Sequence, residues 1–206
     1  MPGIKKKKPA KRVGLLAGFF MGLSLALPGA CATPPPSDRQ PELTFNHLAP
    51  IRLGVDRIEI VHAYAPPLRA PNVEHLLSTP PMDAAKRWAE ERLRASVGPA
   101  TARFTIRDAK VIEEKLPTTG GFLGYFTVEQ GARYDATLDV LLEIIDGKGK
   151  RIAFAEAAAH YSQTVPEDAS INERENYWFQ LTENLLKTFD QEMGAAIQSH
   201  LAGFLR

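Results

Sequence analysis

The chain has 206 residues, and its 25 lysine and arginine residues nearly balance its 24 aspartate and glutamate residues, for a net charge of +1. This length suits one ordinary domain with its own core. The near-neutral balance excludes the strongly basic character of a nucleic-acid-binding protein, and the single cysteine excludes an intramolecular disulfide.

The N-terminal stretch has the order of an export signal. A block of six basic residues within positions 5–12 precedes an uncharged apolar run over 13–27. A basic segment, an apolar segment and small residues at the cut define a secretory signal peptide. The apolar run is shorter than the roughly 20 residues of a membrane-spanning helix, and Pro28 would end a helix. We therefore predict a signal peptide over residues 1–30.

The end of this signal resembles a lipobox, the signal-peptide motif of bacterial lipoproteins. Gly29, Ala30 and Cys31 match the motif, while Pro28 stands where the family has an aliphatic residue. The resemblance implies that Cys31 is acylated, becomes the new N-terminus and anchors the protein to a membrane. The residues alone also fit a cut after Ala32, which would release a soluble periplasmic protein.

Removal of the signal changes the charge and defines the remaining organisation. The mature part keeps 19 basic and 24 acidic residues, a net charge of −5, and this gives no basis for binding nucleic acid. Residues 31–42 would be the lipidated cysteine and a tether, because Pro34, Pro35, Pro36 and Pro41 favour an extended chain. Residues 43–206 are predicted to form a single domain.

The periodicity of that domain predicts four strands and two helices. The strands are expected over 55–62, 102–114 with a bulge near Asp108, 133–145 and 151–163, the last two joined by a turn at 146–150. The first helix should run over 81–97, with a cap at Ser78 or Thr79 and a stop at Gly98. The second should begin at the capping box of Ser170 and Glu173 and continue to about residue 201.

Two of these strands carry clear alternation. Apolar residues from Tyr134 to Ile144 share one face of the third strand, and alternate alanines from Ala153 to Ala159 share one face of the fourth. The order β-α-β-β-β-α predicts an α+β fold, a two-layer sandwich of a mainly antiparallel sheet with two helices.

The sequence contains few residue patterns that indicate catalytic chemistry. None of the five histidines has the spacing of a helical metal site, and neither a serine-nucleophile elbow nor a phosphate-binding loop is present. Asp135, Asp139 and Glu143 share one strand face, which we interpret as a solvated face rather than an acid–base pair. We predict no catalytic residue, no metal and no cofactor.

A glycine-rich segment between two strands stands out, because loops of this length are often functional. Residues 117–131 combine three interior glycines with an apolar cluster formed by Phe122, Leu123, Tyr125 and Phe126. These side chains either fold back on the domain's own core or form a tip that contacts a partner, a lipid or the membrane.

The mature region resembles a group of uncharacterised alphaproteobacterial lipoproteins. The resemblance depends on Trp88 with Arg92, on the stretches 103–114 and 133–144, and on residues 171–175. More distantly, the order of elements is similar to the auxiliary lipoproteins of ABC-type lipid transporters and to the lipopolysaccharide-assembly lipoprotein. These relatives imply a small envelope lipoprotein that docks onto other envelope proteins.

Three functions follow as hypotheses. The first is a non-enzymatic envelope lipoprotein that docks onto a protein partner in transport or biogenesis, held by the Cys31 lipid and facing the periplasm. Its anchor is expected in the outer membrane, because Ala32 rather than aspartate follows the cysteine, by resemblance to the enteric sorting rule. The alternatives are a module that holds a lipid or small apolar molecule between helix and sheet, and an enzyme with an unrecognised carboxylate site.

Overall fold

The computed structural model describes residues 42–117 and 129–206. These ranges contain two α-helices, α1 (Pro81–Arg92) and α2 (Ile171–His200). The seven strands within them are β1 (Ile51–Leu53), β2 (Arg57–His62), β3 (Leu93–Ala95), β4 (Thr101–Asp108), β5 (Val111–Lys115), β6 (Gln130–Ile145) and β7 (Arg151–Pro166). A 3-10 turn, Glu74–Leu76, lies between β2 and α1.

The main sheet is organised around β6, which pairs with neighbours on both sides. On one side β4 and β5 lie end to end, both antiparallel to β6, and β2 runs parallel to β4 at the outside. On the other side β7 pairs antiparallel with β6 along nearly its whole length. The short strands β1 and β3 form a separate parallel pair.

The hydrophobic core lies between this sheet and the two helices. Alternate residues of β6 from Tyr134 to Ile144 are buried, as are Phe104 and Ile106 of β4. Where the layers meet, the Trp88 ring of α1 lies 5.7 Å from Phe104 and 5.0 Å from Phe189 of α2, measured between ring centroids. One face of the sheet is therefore covered, and the other is open.

Helix α2 packs mainly over β7, the strand with the alanine row. Ala155, Ala157 and Ala159 are buried beneath it, and Leu185 and Phe189 of the helix are fully buried above them. Small side chains on the strand allow the helix backbone to approach the sheet closely. As a result α2 lies at the β7 side of the sheet.

The predicted fold class, an α+β two-layer sandwich, is confirmed. The capping box of α2 is present, with the Ser170 side chain accepting from the Glu173 amide and the Glu173 carboxylate accepting from the Ser170 amide. The pairing of β4 with β6 shifts register between Ile106 and Asp108, where the sequence indicated a bulge.

The predicted bounds of the first helix are wrong at its C-terminus. Helix α1 ends at Arg92, five residues before the expected end, because Leu93 turns to an extended conformation and pairs with Ile51 as the first residue of β3. Glycine 98 therefore does not stop the helix.

The predicted cap of this helix is also wrong. The N-cap residue is Pro80, and no side chain caps the helix. The main-chain oxygen of Thr79 instead accepts a hydrogen bond of 3.0 Å from the Thr182 hydroxyl of α2, so Thr79 links the two helices.

Candidate functional site

The residues predicted to contact a membrane or partner lie outside the part of the chain that the structure describes. Cys31 precedes residue 42, and Phe122, Leu123, Tyr125 and Phe126 lie between residues 117 and 129. Their roles as a lipidation site and a contact loop stay predictions.

The three carboxylates singled out from the sequence lie on the open face of the sheet, each beside an arginine. Asp139 lies 2.5 Å from Arg107, Asp135 lies 3.0 Å from Arg133, and Glu143 lies 3.2 Å from Arg151, measured between the ion-paired atoms. Burial opposes ionisation of Asp135, but hydrogen bonds from Ser162 and Arg133 outweigh it and lower the pKa of this carboxyl.

This geometry does not bring two of the predicted carboxylates together. Residues four apart on one strand, such as Asp135 and Asp139, are separated by about 13 Å, farther than the roughly 5–9.5 Å between the paired carboxylates of glycosidases. Glu156 of β7 does approach Asp139, but Arg107 binds both. Within the described ranges, no three histidine, aspartate or glutamate side chains form a group that could hold a metal ion.

A buried glutamate that sequence reasoning missed organises the side of the sheet opposite β7. Glu74 is 3% exposed and accepts from the Tyr64 hydroxyl at 2.8 Å and from the Val111 amide at 3.1 Å. The Asn72 amide nitrogen lies 3.4 Å from the same carboxylate. Burial and then the hydrogen bond to Glu74 raise the pKa of Tyr64. No local pattern marks Glu74, since its two shortest hydrogen bonds come from Tyr64 and Val111, which lie 10 and 37 positions away in the chain.

This cluster fixes an irregular segment along β5. The Val73 amide donates to the Val111 oxygen and the Glu113 amide donates to the Pro71 oxygen, both at 2.9 Å. Nearby, the Tyr134 hydroxyl donates to the Glu113 carboxylate at 2.8 Å, and burial together with this bond raises the pKa of Tyr134 to about 12. The outer side of β5 is thus closed by residues of the same chain.

The outer edge of β7, unlike that of β5, is open. This follows from which residues of β6 bond to β7 and which bond to β4 and β5. The Thr137 amide donates to Lys110 at 2.9 Å, so Thr137 and its alternates in β6 direct their main-chain groups toward β4 and β5. Leu138 and its alternates therefore bond to β7, where Leu138 faces Ala159. The remaining residues of β7 direct their N–H and C=O groups outward: Phe154, Glu156, Ala158, His160, Ser162 and Thr164.

This outer edge is long and lacks the usual protection. All six of these residues are exposed, and the register between β6 and β7 is continuous from Ala153 to Val165. Positions 154–164 contain no proline or lysine, and Glu156 is the one acidic residue among them, whereas natural edge strands are commonly blocked by proline, by charged residues, especially lysine, or by bulges. Phe154 and Ile152 add exposed apolar side chains, 46% and 48% exposed, at one end.

No helix within the described ranges combines the length and the apolar character needed to cross a membrane. The sequence matches no protein-family model and no curated protein.

Solved structures that resemble the chain include a candidate lipoprotein from Caulobacter crescentus CB15 (11% identity, TM-score 0.34), the rare lipoprotein B from Shewanella oneidensis (8%, 0.33) and a minor lipoprotein from Acinetobacter baumannii (14%, 0.33). The similarities cover 69%, 70% and 69% of this chain and 90%, 96% and 93% of the respective structures. At these identities and TM-scores the likenesses assign the chain to no family.

Proposed function

We propose that the protein is a lipid-anchored envelope protein without enzymatic activity, which docks its α+β domain onto a protein partner in envelope transport or biogenesis. The order of the N-terminal segments carries this proposal: a basic block, an apolar run, the small residues before Cys31, and a proline-rich tract. Cys31 is the only cysteine of the chain and lies where an anchor would be attached.

The domain supports docking rather than binding of a ligand between helix and sheet. The layer between α2 and the sheet is formed by side chains in direct contact, including the rings of Trp88, Phe104 and Phe189. The open face and the outer edge of β7, in contrast, are exposed. A partner could use them without displacing any part of the core.

The proposal extends to the location of the domain. The tether over residues 31–42 would hold it off the membrane on the periplasmic side, because a proline-rich tract is a semi-rigid spacer. The anchor would lie in the outer membrane, in keeping with Ala32 after the cysteine.

The experiment that tests the lipid anchor, on which this function depends, is an intact-mass measurement of the mature protein from the membrane fraction of its host. Acylated protein beginning at Cys31 is expected, and Cys31→Ser should abolish both the acyl mass and the new N-terminus. Unmodified protein that begins at Thr33 in the soluble fraction would contradict the anchor.

A further inference from the structure

We propose that the outer edge of β7 takes up an extended segment of a partner protein as an additional strand of the sheet. This inference rests on the proposed docking function and names the surface and the kind of partner that it uses. The site consists of the outward main-chain groups of residues 154–164.

The backbone supplies the first argument. Six residues of β7, Phe154 to Thr164 at alternate positions, direct a donor and an acceptor to the exposed edge. Among the described residues, no hydrogen bond to these outward groups is found. An added strand would pair with each of them, and main-chain pairing of this kind provides the affinity in strand-addition complexes.

Helix α2 shapes the space above this edge. The Gln163 side chain of β7 donates to Gln180 of α2 at 3.4 Å, so this side of the helix faces the edge. Asn184 and Thr188 follow at four-residue spacing on the same side. Their side chains donate to the helix's own main-chain oxygens at 2.9 and 3.1 Å, which leaves an uncharged, internally bonded stripe beside the edge.

The position of α2 also limits which partner can pair with the edge of β7, an extended strand or a second copy of this chain. Two copies paired antiparallel through β7 would place their α2 helices on the same face of the joint sheet, above neighbouring strands about 4.8 Å apart. Packed helices need an axis separation of about 8–10 Å, and α2 lies mainly over β7. A strand without an overlying helix fits this edge, whereas a second copy paired antiparallel would not.

The surroundings of the edge define the chemistry of the partner segment. Its side chains toward α2 should be uncharged, since they would meet Gln180, Asn184 and Thr188. Its side chains toward the open face should include an apolar residue against Phe154 and Ile152, which are about half exposed. It should lack proline at the positions that bond to β7.

Site-specific photo-cross-linking in the host tests this proposal. The photoreactive residue p-benzoylphenylalanine is placed in turn at Glu156, Ala158 and His160 of the full-length chain, with Val61 on β2 as the matched exposed control. The three β7 positions are expected to cross-link to one protein, at residues that lie two apart for each step along β7. Val61 should give no cross-link to that protein.

A backbone variant separates strand pairing from simple proximity. Ala158→Pro removes one outward N–H and should abolish the cross-links from Glu156 and His160, while Ala158→Ser keeps the N–H and should preserve them. Circular dichroism is used to check that both variants fold, and both are expected to keep the spectrum of the parent protein. Products that contain only copies of this chain, scattered attachment sites, or cross-links that survive Ala158→Pro would each overturn the proposal. Because the intact-mass measurement reports the anchor separately, failure here leaves the lipid anchor unaffected.

Discussion

Two edges of the sheet are built in opposite ways, the closed side along β5 and the open side along β7. Along β5 the chain closes the sheet itself, as residues 71–73 bond to the strand and the buried Glu74 fixes them to Tyr64 and Val111. Along β7 six successive outward positions face solvent. The chain thus closes the sheet along β5 with a buried carboxylate and leaves the edge of β7 exposed, as the partner surface proposed above requires.

The largest effect on stability should come from proline substitutions in β7. They compare a residue that bonds to β6 with a residue whose main-chain groups point outward. Ala157 bonds to β6, so Ala157→Pro removes a hydrogen bond inside the sheet, leaves a buried acceptor unpaired at a cost of about 1–3 kcal/mol, and directs the proline ring against β6. Ala158→Pro removes only an outward N–H, which edge strands tolerate, and should cost about 1 kcal/mol or less. Urea denaturation of both variants measures the difference. Equal losses of stability in the two variants would mean that the assignment of inward-bonding and outward-pointing residues in β7 is wrong.

The next largest loss of stability is expected from substitution of Glu74, on the closed side along β5. Glu74→Ala leaves the Tyr64 hydroxyl and the Val111 amide without their acceptor, and each unpaired buried donor costs about 1–3 kcal/mol. Glu74→Gln keeps one acceptor oxygen and nearly the same shape, so it should recover part of this loss. The free energies of unfolding of the two variants provide the test. A glutamine variant as unstable as the alanine variant would argue against the hydrogen-bonding role.

Alkaline pH should weaken the closed side in a predictable range. The pKa of Tyr134 is raised from 10.0 to about 12 in the folded state. Between these values the unfolded chain has lost the proton that the folded protein keeps, so stability is complete below pH 10 and falls as pH rises toward 12.

Tyr134→Phe should therefore reduce the dependence of unfolding free energy on pH in that range. Tyr64, whose pKa is also raised, should account for the dependence that remains. Unfolding midpoints measured from pH 9 to 12 provide the comparison. An identical pH dependence in both proteins would show that Tyr134 does not contribute.

The smallest effect is expected on the open face next to β7. Arg107 is 37% exposed and pairs with Asp139 and Glu156. Exposed ion pairs contribute about 0–1 kcal/mol, so Arg107→Gln should change stability by less than about 1 kcal/mol, and less at 1 M salt than at 0.05 M. A loss comparable to that of Glu74→Ala would mean that this face is structural rather than available for contact.

The features predicted correctly from the sequence are those that depend on residues within a single helix or strand. The alternation from Tyr134 to Ile144 identified the buried face of β6, and the Ser170–Glu173 box identified the start of α2, because both signals lie within one element. The early end of α1 was not predictable from its own residues, since Leu93 leaves the helix to pair with Ile51, more than forty positions away.

The candidate site was harder to predict from the sequence, because it is formed by segments that are distant in the chain. Glu74 became a buried acceptor only because Tyr64 and Val111 converge on it. The sequence of residues 151–163 predicts a strand with an alanine face, but no pattern within it predicts that this strand lies at the edge of the sheet. That property follows from the strand order, with β7 paired to β6 alone.

Residue-resolved amide hydrogen exchange along β7, followed by NMR in the isolated protein, tests most directly the claim that this edge is open. The amides of Phe154, Glu156, Ala158, His160, Ser162 and Thr164 should exchange quickly, and those of the alternate residues from Ala155 to Gln163 should exchange slowly. Slow exchange at both sets would contradict the account, because the edge would then already be covered in the isolated protein.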